Sequence, residues 1–114
     1  MIKGFPPDHI LLAFFGSEPR LLDPAVPRLY NQLTFVADRD GERVTGTIEP
    51  GEGQITVEWE RYGEEIVGIC VTKLRTLDVV TEEGASCLVA AREASSVQLR
   101  LWLDPHPRLY AAAV

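Results

Sequence analysis

Histidines, cysteines and paired carboxylates are the residues in this chain that could do chemistry. His9 and His106 are its two histidines. A Ser-His-Asp or Cys-His arrangement needs a base beside its nucleophile and a third group orienting that base. His9 falls in the first turn of a short helical pattern and His106 lies between Pro105 and Pro107. No motif surrounds either, so both read as ordinary surface residues and the chain reads as a non-enzyme. Glu58 and Glu60 share one face of a strand pattern, and Glu64-Glu65 and Glu82-Glu83 lie in turns. Glycoside hydrolysis needs two carboxylates facing each other across a cleft; solvated faces and turns collect acidic residues without that role.

Cys70 and Cys87 occupy separate apolar, strand-like segments with no CxxC pair. They read as free, buried thiols, and with two histidines for company they make no zinc site. Gly51-Glu52-Gly53 superficially offers GxG but lacks the third glycine, the lysine and the following helix of a phosphate loop. A hairpin turn explains it, and no cofactor or metal is expected.

The elements that would position a binding surface follow from periodicity. Asp8 is a good N-cap for a two-turn helix ending at Gly16, with Ile10, Leu11, Phe14 and Phe15 on one apolar face. Pro19, Pro24 and Pro27 stiffen a connector in which Leu21, Leu22 and Val26 are expected to tuck against the core. A period of two then predicts a strand from Leu29 to Ala37, a turn at Asp40-Gly41, and a return strand over Arg43 to Ile48. Gln54 to Tyr62 alternates, with Ile55, Val57 and Trp59 inward.

Ile66 to Val71 is apolar on both faces, the pattern of a central strand, and Leu77 to Thr81 either extends it or forms another. Cys87 to Ala91 is a short strand, and Glu93 to Ser96 a turn. In the last clear strand Val97, Leu99, Leu101 and Leu103 alternate with Gln98, Arg100 and Trp102. The tail Leu109 to Val114 fits a strand or a helical turn. The fold class is mainly β (α+β): one domain over residues 1–114, an antiparallel meander or small sandwich of about six to eight strands with one short N-terminal helix.

Surface character narrows the partner. With 11 Lys and Arg against 17 Asp and Glu, the chain carries a net charge of −6. A nucleic-acid backbone meets net repulsion, and no basic stripe offsets it. No 18-residue apolar run spans a membrane and the first residues lack a secretory signal, so a cytoplasmic location is expected. Trp102 falls on the polar side of its strand, where a tryptophan marks an interface. Trp102, Arg100, Glu58 and Glu60 are the expected partner-binding residues. A small β domain holding an apolar ligand in a closed cavity lined by aromatics, or a homodimer through an edge strand or the tail, are the alternatives.

The segment Phe15-Gly16-Ser17-Glu18-Pro19-Arg20-Leu21-Leu22-Asp23-Pro24-Ala25-Val26, followed by a strand and hairpin, resembles the opening of small β-rich bacterial toxin-immunity proteins, in particular the group called immunity protein 50. Ile66 to Leu77 is similar to their central strand. Leu21-Leu22 and Pro24 depart from the aromatic or polar residues more usual there. The resemblance implies a non-enzymatic inhibitor that binds a toxin domain, and an acidic domain suits a basic one.

Overall fold

A computed structural model describes residues 1–93 and 96–112. Its helix, α1 (Asp8–Phe15), begins directly after Pro6-Pro7, and Pro7 occupies the cap position. The expectation that Asp8 caps the helix is corrected. Asp8 is the first helical residue, its side chain makes no cap hydrogen bond, and its carboxylate pairs with Arg28 at 3.3 Å. Negative charge in a first turn is still favoured by the helix dipole. Gly16, at φ 75°, ends the helix as a left-handed cap whose N–H donates to the Leu12 carbonyl at 2.8 Å.

Two antiparallel meanders follow. The first sheet runs β1 (Arg20–Leu21), β2 (Leu33–Arg39), β3 (Glu42–Glu49), β4 (Gln54–Arg61) and β5 (Glu64–Val71), ordered as in the chain. The second runs β6 (Thr76–Glu82), β7 (Ala85–Glu93), β8 (Ser96–Trp102) and β9 (Arg108–Ala111). Inward residues of both, including Leu33, Phe35, Val44, Ile48, Ile55, Val57, Leu77, Leu88, Leu99 and Leu101, belong to one buried cluster. The molecule is therefore a β-sandwich with one helix, as the alternation predicts. Leu77 to Thr81 is a separate strand in the other sheet, and the tail enters β9; its last residues, Ala113 and Val114, lie outside the described residues, as do Ala94 and Ser95 of the expected turn.

Helix α1 touches β2 and β6, one strand of each sheet. Phe15 stacks on Phe35 with ring centres 4.6 Å apart and planes 15° from parallel. Gly46 makes room for it, since a Cβ there would stand 3.0 Å from the Phe15 ring. Three tight turns, Asp40-Gly41, Tyr62-Gly63 and Glu83-Gly84, have positive φ at both residues, the geometry that matches the twist of a hairpin. Tyr62 thus belongs to a turn and not to the end of β4.

Three further expectations are corrected. The strand pattern from Leu29 starts only at Leu33, because Arg28–Tyr30 form a 3₁₀ turn. Buried Asn31 organises that region: its amide donates to the carbonyls of Asp23 (2.6 Å) and Val26 (2.9 Å), and its oxygen accepts from the N–H groups of Asp23 and Gln32. The Asp23-x-x-Val26 element is tied through that one side chain, which leaves Leu22 exposed while Leu21 packs on the core. Finally, β5 is a sheet margin and not a central strand: only Val71 is buried along it, and Cys70 is exposed. Val67, Ile69 and Val71 line the inner side of that margin, while Ile66, Gly68 and Cys70 face solvent.

Candidate functional site

Each sheet turns one face away from the core, and the expected binding residues divide between these faces. Glu58 and Glu60 point outward from β4, out of phase with buried Ile55 and Val57. Trp102 and Arg100 point outward from β8, out of phase with buried Leu99 and Leu101. Since both sheets cover one core, the two pairs lie on opposite sides of the molecule, and no single flat surface unites all four.

The face of the first sheet carries Thr34, Thr45, Thr47 and Thr56 in its middle and acidic residues at one end. There the β2–β3 and β4–β5 turns lie side by side. The Tyr62 N–H donates to the Gly41 carbonyl at 2.9 Å, and the Tyr62 ring lies so close over Gly41 that a Cβ would fall 2.4 Å from it. Tyr62 nevertheless remains 81% exposed. Between Asp38 and Glu65 this end gathers Asp38, Asp40, Glu42, Glu58, Glu60, Glu64 and Glu65 against Arg39, Arg43 and Arg61, which is four of the chain's six net negative charges.

The three arginines are engaged: Arg43 with Asp38 at 2.9 Å, Arg61 with Glu42 at 2.7 Å and Arg39 with Asp104 at 2.8 Å. The hydrogen bond and charge of Asp38, aided by Glu60, hold the Arg43 guanidinium above its ordinary pKa. Among the described residues Asp40, Glu58, Glu60, Glu64 and Glu65 enter no ion pair. Their field is therefore directed at solvent and at whatever approaches.

The opposite face has a different chemistry. Cross-strand neighbours place Val80, Cys87, Trp102 and Arg108 in one row, and Asp78, Val89, Arg100 and Tyr110 in the next. The Arg108 guanidinium sits 4.8 Å from the centre of the Trp102 ring, a cation–π contact. The half-buried Trp102 and Arg100 help to cover Cys87, which is buried although it points away from the core. Burial pushes the Cys87 thiol above its ordinary pKa, with Arg100 pulling the other way. The expectation of two buried thiols therefore holds for Cys87 and fails for Cys70, which lies on the opposite face.

A half-open groove of about 620 Å³ runs between α1, the β6–β7 turn and the β8–β9 loop. Ile10, Phe14, Val79 and Leu103 form its apolar floor, and Glu83, Ser86 and Asp104 stand around it. One aromatic lines it, against the several that a closed ligand cavity would be expected to show. His9 and His106 are both exposed, on α1 and in the β8–β9 loop. Among the described residues no three His, Cys, Asp or Glu side chains are grouped to hold a metal ion, and no helix is long and apolar enough to cross a membrane. Trp59 faces inward as its phase requires, packed on the core beneath Arg61, whose guanidinium is 5.9 Å from the ring.

No family model matches the chain, and no curated protein matches it. Among solved structures it is similar to a chain of a contact-dependent growth inhibition toxin–immunity protein complex from Klebsiella pneumoniae 342, with a TM-score of 0.80 and 18% identity over 99% of this chain and 98% of that one. At that identity the likeness is one of fold. The resemblance carried by Phe15 to Val26 thus meets its counterpart in the architecture of a toxin–immunity complex and not in a family model.

Proposed function

We propose that this protein is an immunity protein: a non-enzymatic, cytoplasmic domain that neutralises a toxin by binding it stoichiometrically. The observation that carries the proposal is the end-to-end likeness of fold to a chain of a toxin–immunity complex. The acidic end of the first sheet, including Glu58 and Glu60, is the surface we assign to the toxin. Its unpaired carboxylates favour a basic partner and would speed encounter with it, an effect that weakens as salt rises. The Trp102 and Arg100 face is the competing surface, because tryptophan and arginine are the residues that most often anchor interfaces.

The test is co-expression with the product of the neighbouring gene, which the proposal requires to be a toxin, followed by size-exclusion chromatography of the two purified proteins. Restored growth and a one-to-one complex are the expected results. A toxin that still kills, with the two proteins eluting separately, sinks the proposal. The rival reading, an apolar small ligand in the half-open groove beside α1, is tested by a thermal-shift screen, in which it requires a stabilisation that Phe14→Ala removes.

A further inference from the structure

A two-sheet sandwich has four lateral margins, and each exposes a row of main-chain N–H and C=O groups unless something covers it. Margin β1 is two residues long. Margin β6 is covered at its start by the N-terminal segment, where Lys3 and Gly4 donate to the Arg75 carbonyl at 2.8 and 3.2 Å, Leu77 donates to the Gly4 carbonyl at 2.8 Å and Gly4 bridges Thr76, and helix α1 packs against the same strand. Margin β9 is four residues long. Margin β5 is eight residues long, pairs with β4 alone, and receives no backbone hydrogen bond from outside its sheet among the described residues.

Native margins are usually blunted by charged side chains, lysine above all, by proline, by a bulge or by a covering loop; on β5 the charges are confined to Glu64 and Glu65 at its first two positions. Between Glu64 and Val71 there is neither lysine nor proline, and Ile66 is 46% exposed. The one irregularity, a bulge between Trp59 and Glu60, lies at the acidic end and leaves the rest of the strand regular. Four carboxylates without ion pairs border the margin. Glu64 and Glu65 lie on it, Glu60 is the cross-strand partner of Glu65, and Glu58 is that of Gly68.

We propose that β5 is a strand-addition site for an extended, basic segment of a protein partner. Main-chain pairing would supply the register, lysines or arginines of the incoming strand would meet Glu58, Glu60, Glu64 and Glu65, and an apolar residue would cover Ile66. A second copy of this chain is the poorer occupant, because each copy carries a net charge of −6 with most of the excess at this end. The proposal deepens the toxin-neutralising function and rests on it only for the partner's identity.

The test separates the two. The probe is an eight-residue peptide alternating lysine and valine, with a control N-methylated at every second residue so that one side cannot pair. Nitrogen-15 amide shifts and slowed hydrogen exchange within Glu64–Val71 are expected for the probe and not for the control. Glu64→Lys/Glu65→Lys should weaken the probe about tenfold or more. In a margin strand adjacent N–H groups point to opposite sides, so of Val67→Pro and Gly68→Pro one loses a bond to β4 and melts several degrees lower. The other keeps its melting temperature and should lose both the probe and the neighbouring-gene toxin.

Shifts centred on β8 and β9, equal binding of the control, or full toxin affinity in the heat-stable proline variant would each overturn the proposal. So would a dimer of the chain alone that this same variant dissociates, since the margin would then belong to a second copy. If wild-type protein binds the probe along β5 but fails to neutralise the toxin, the strand-addition site stands and the immunity function falls.

Discussion

Each outer face of the sandwich carries one cysteine, and the two thiols sit in opposite surroundings. Cys70, on β5, faces solvent at an uncovered margin. Cys87, on β7, points just as squarely away from the core and is buried, because β7 lies between β6 and β8 and the side chains of Val80, Arg100 and Trp102 reach over it. An outward side chain is wet or dry according to its lateral neighbours, not its phase. The same contrast separates an open acidic face, suited to a partner, from one already closed by its own tryptophan and arginines.

The largest expected effect tests that division directly. Joint reversal of Glu58, Glu60, Glu64 and Glu65 to lysine should weaken toxin binding about a hundredfold or more by calorimetry, most strongly at low salt, while Trp102→Ala changes it by less than about threefold. The opposite ranking would move the interface to the Trp102 and Arg100 face. A second comparison sets two turns with the same backbone against each other. Gly41→Ala meets the Tyr62 ring as well as an unfavourable φ, and Gly84→Ala meets the φ alone. Urea unfolding should show losses of about 2–3 and about 1 kcal/mol respectively, and equal losses would mean that Tyr62 is not held against Gly41.

Smaller effects sharpen the account of the closed face. Trp102→Ala should cost about 1–2 kcal/mol of stability and open Cys87 to thiol reagents, whereas Cys70 should react at once in the native wild type. A Cys87 that stays unreactive in Trp102→Ala would show that the tryptophan is not its cover. The smallest effect is on pH dependence. Because burial raises the Cys87 pKa in the folded state, its contribution is complete below the ordinary thiol range and is lost as pH climbs through the raised value. Stability should therefore fall at alkaline pH, and Cys87→Ala should flatten that fall; an unchanged slope would assign it to other groups.

Much of this architecture was legible in the chain. Alternation placed Trp59 inward and Trp102 outward, and glycines with turn partners located the hairpins. Phase says which way a side chain points along its own strand but not which strand lies next to it. That is why Ile66 to Val71 read as central when it is marginal, and why Glu58 and Trp102, both outward, read as one surface. Asn31 escaped for a related reason: its place in the alternation suited a strand, and only its three hydrogen bonds to the preceding loop, with a fourth from Gln32, reveal a knot. The Tyr62 contact with Gly41 joins two turns that carry no mutual signal in sequence.

The pairing of Ile2 to Gly4 with the start of β6 has a consequence for how the fold closes. Ile2 is buried, its N–H donates to the Pro50 carbonyl, and Lys3 and Gly4 seal the margin at Arg75 to Leu77. A ribosome delivers Ile2 long before it delivers either partner, so the segment cannot lock until Arg75 to Leu77 have emerged. These contacts join residues some fifty to seventy positions apart, and contacts of such long sequence separation slow closure. Until then β6 is a second open edge on the nascent chain, and a bulky group fused at Met1 would prolong that interval.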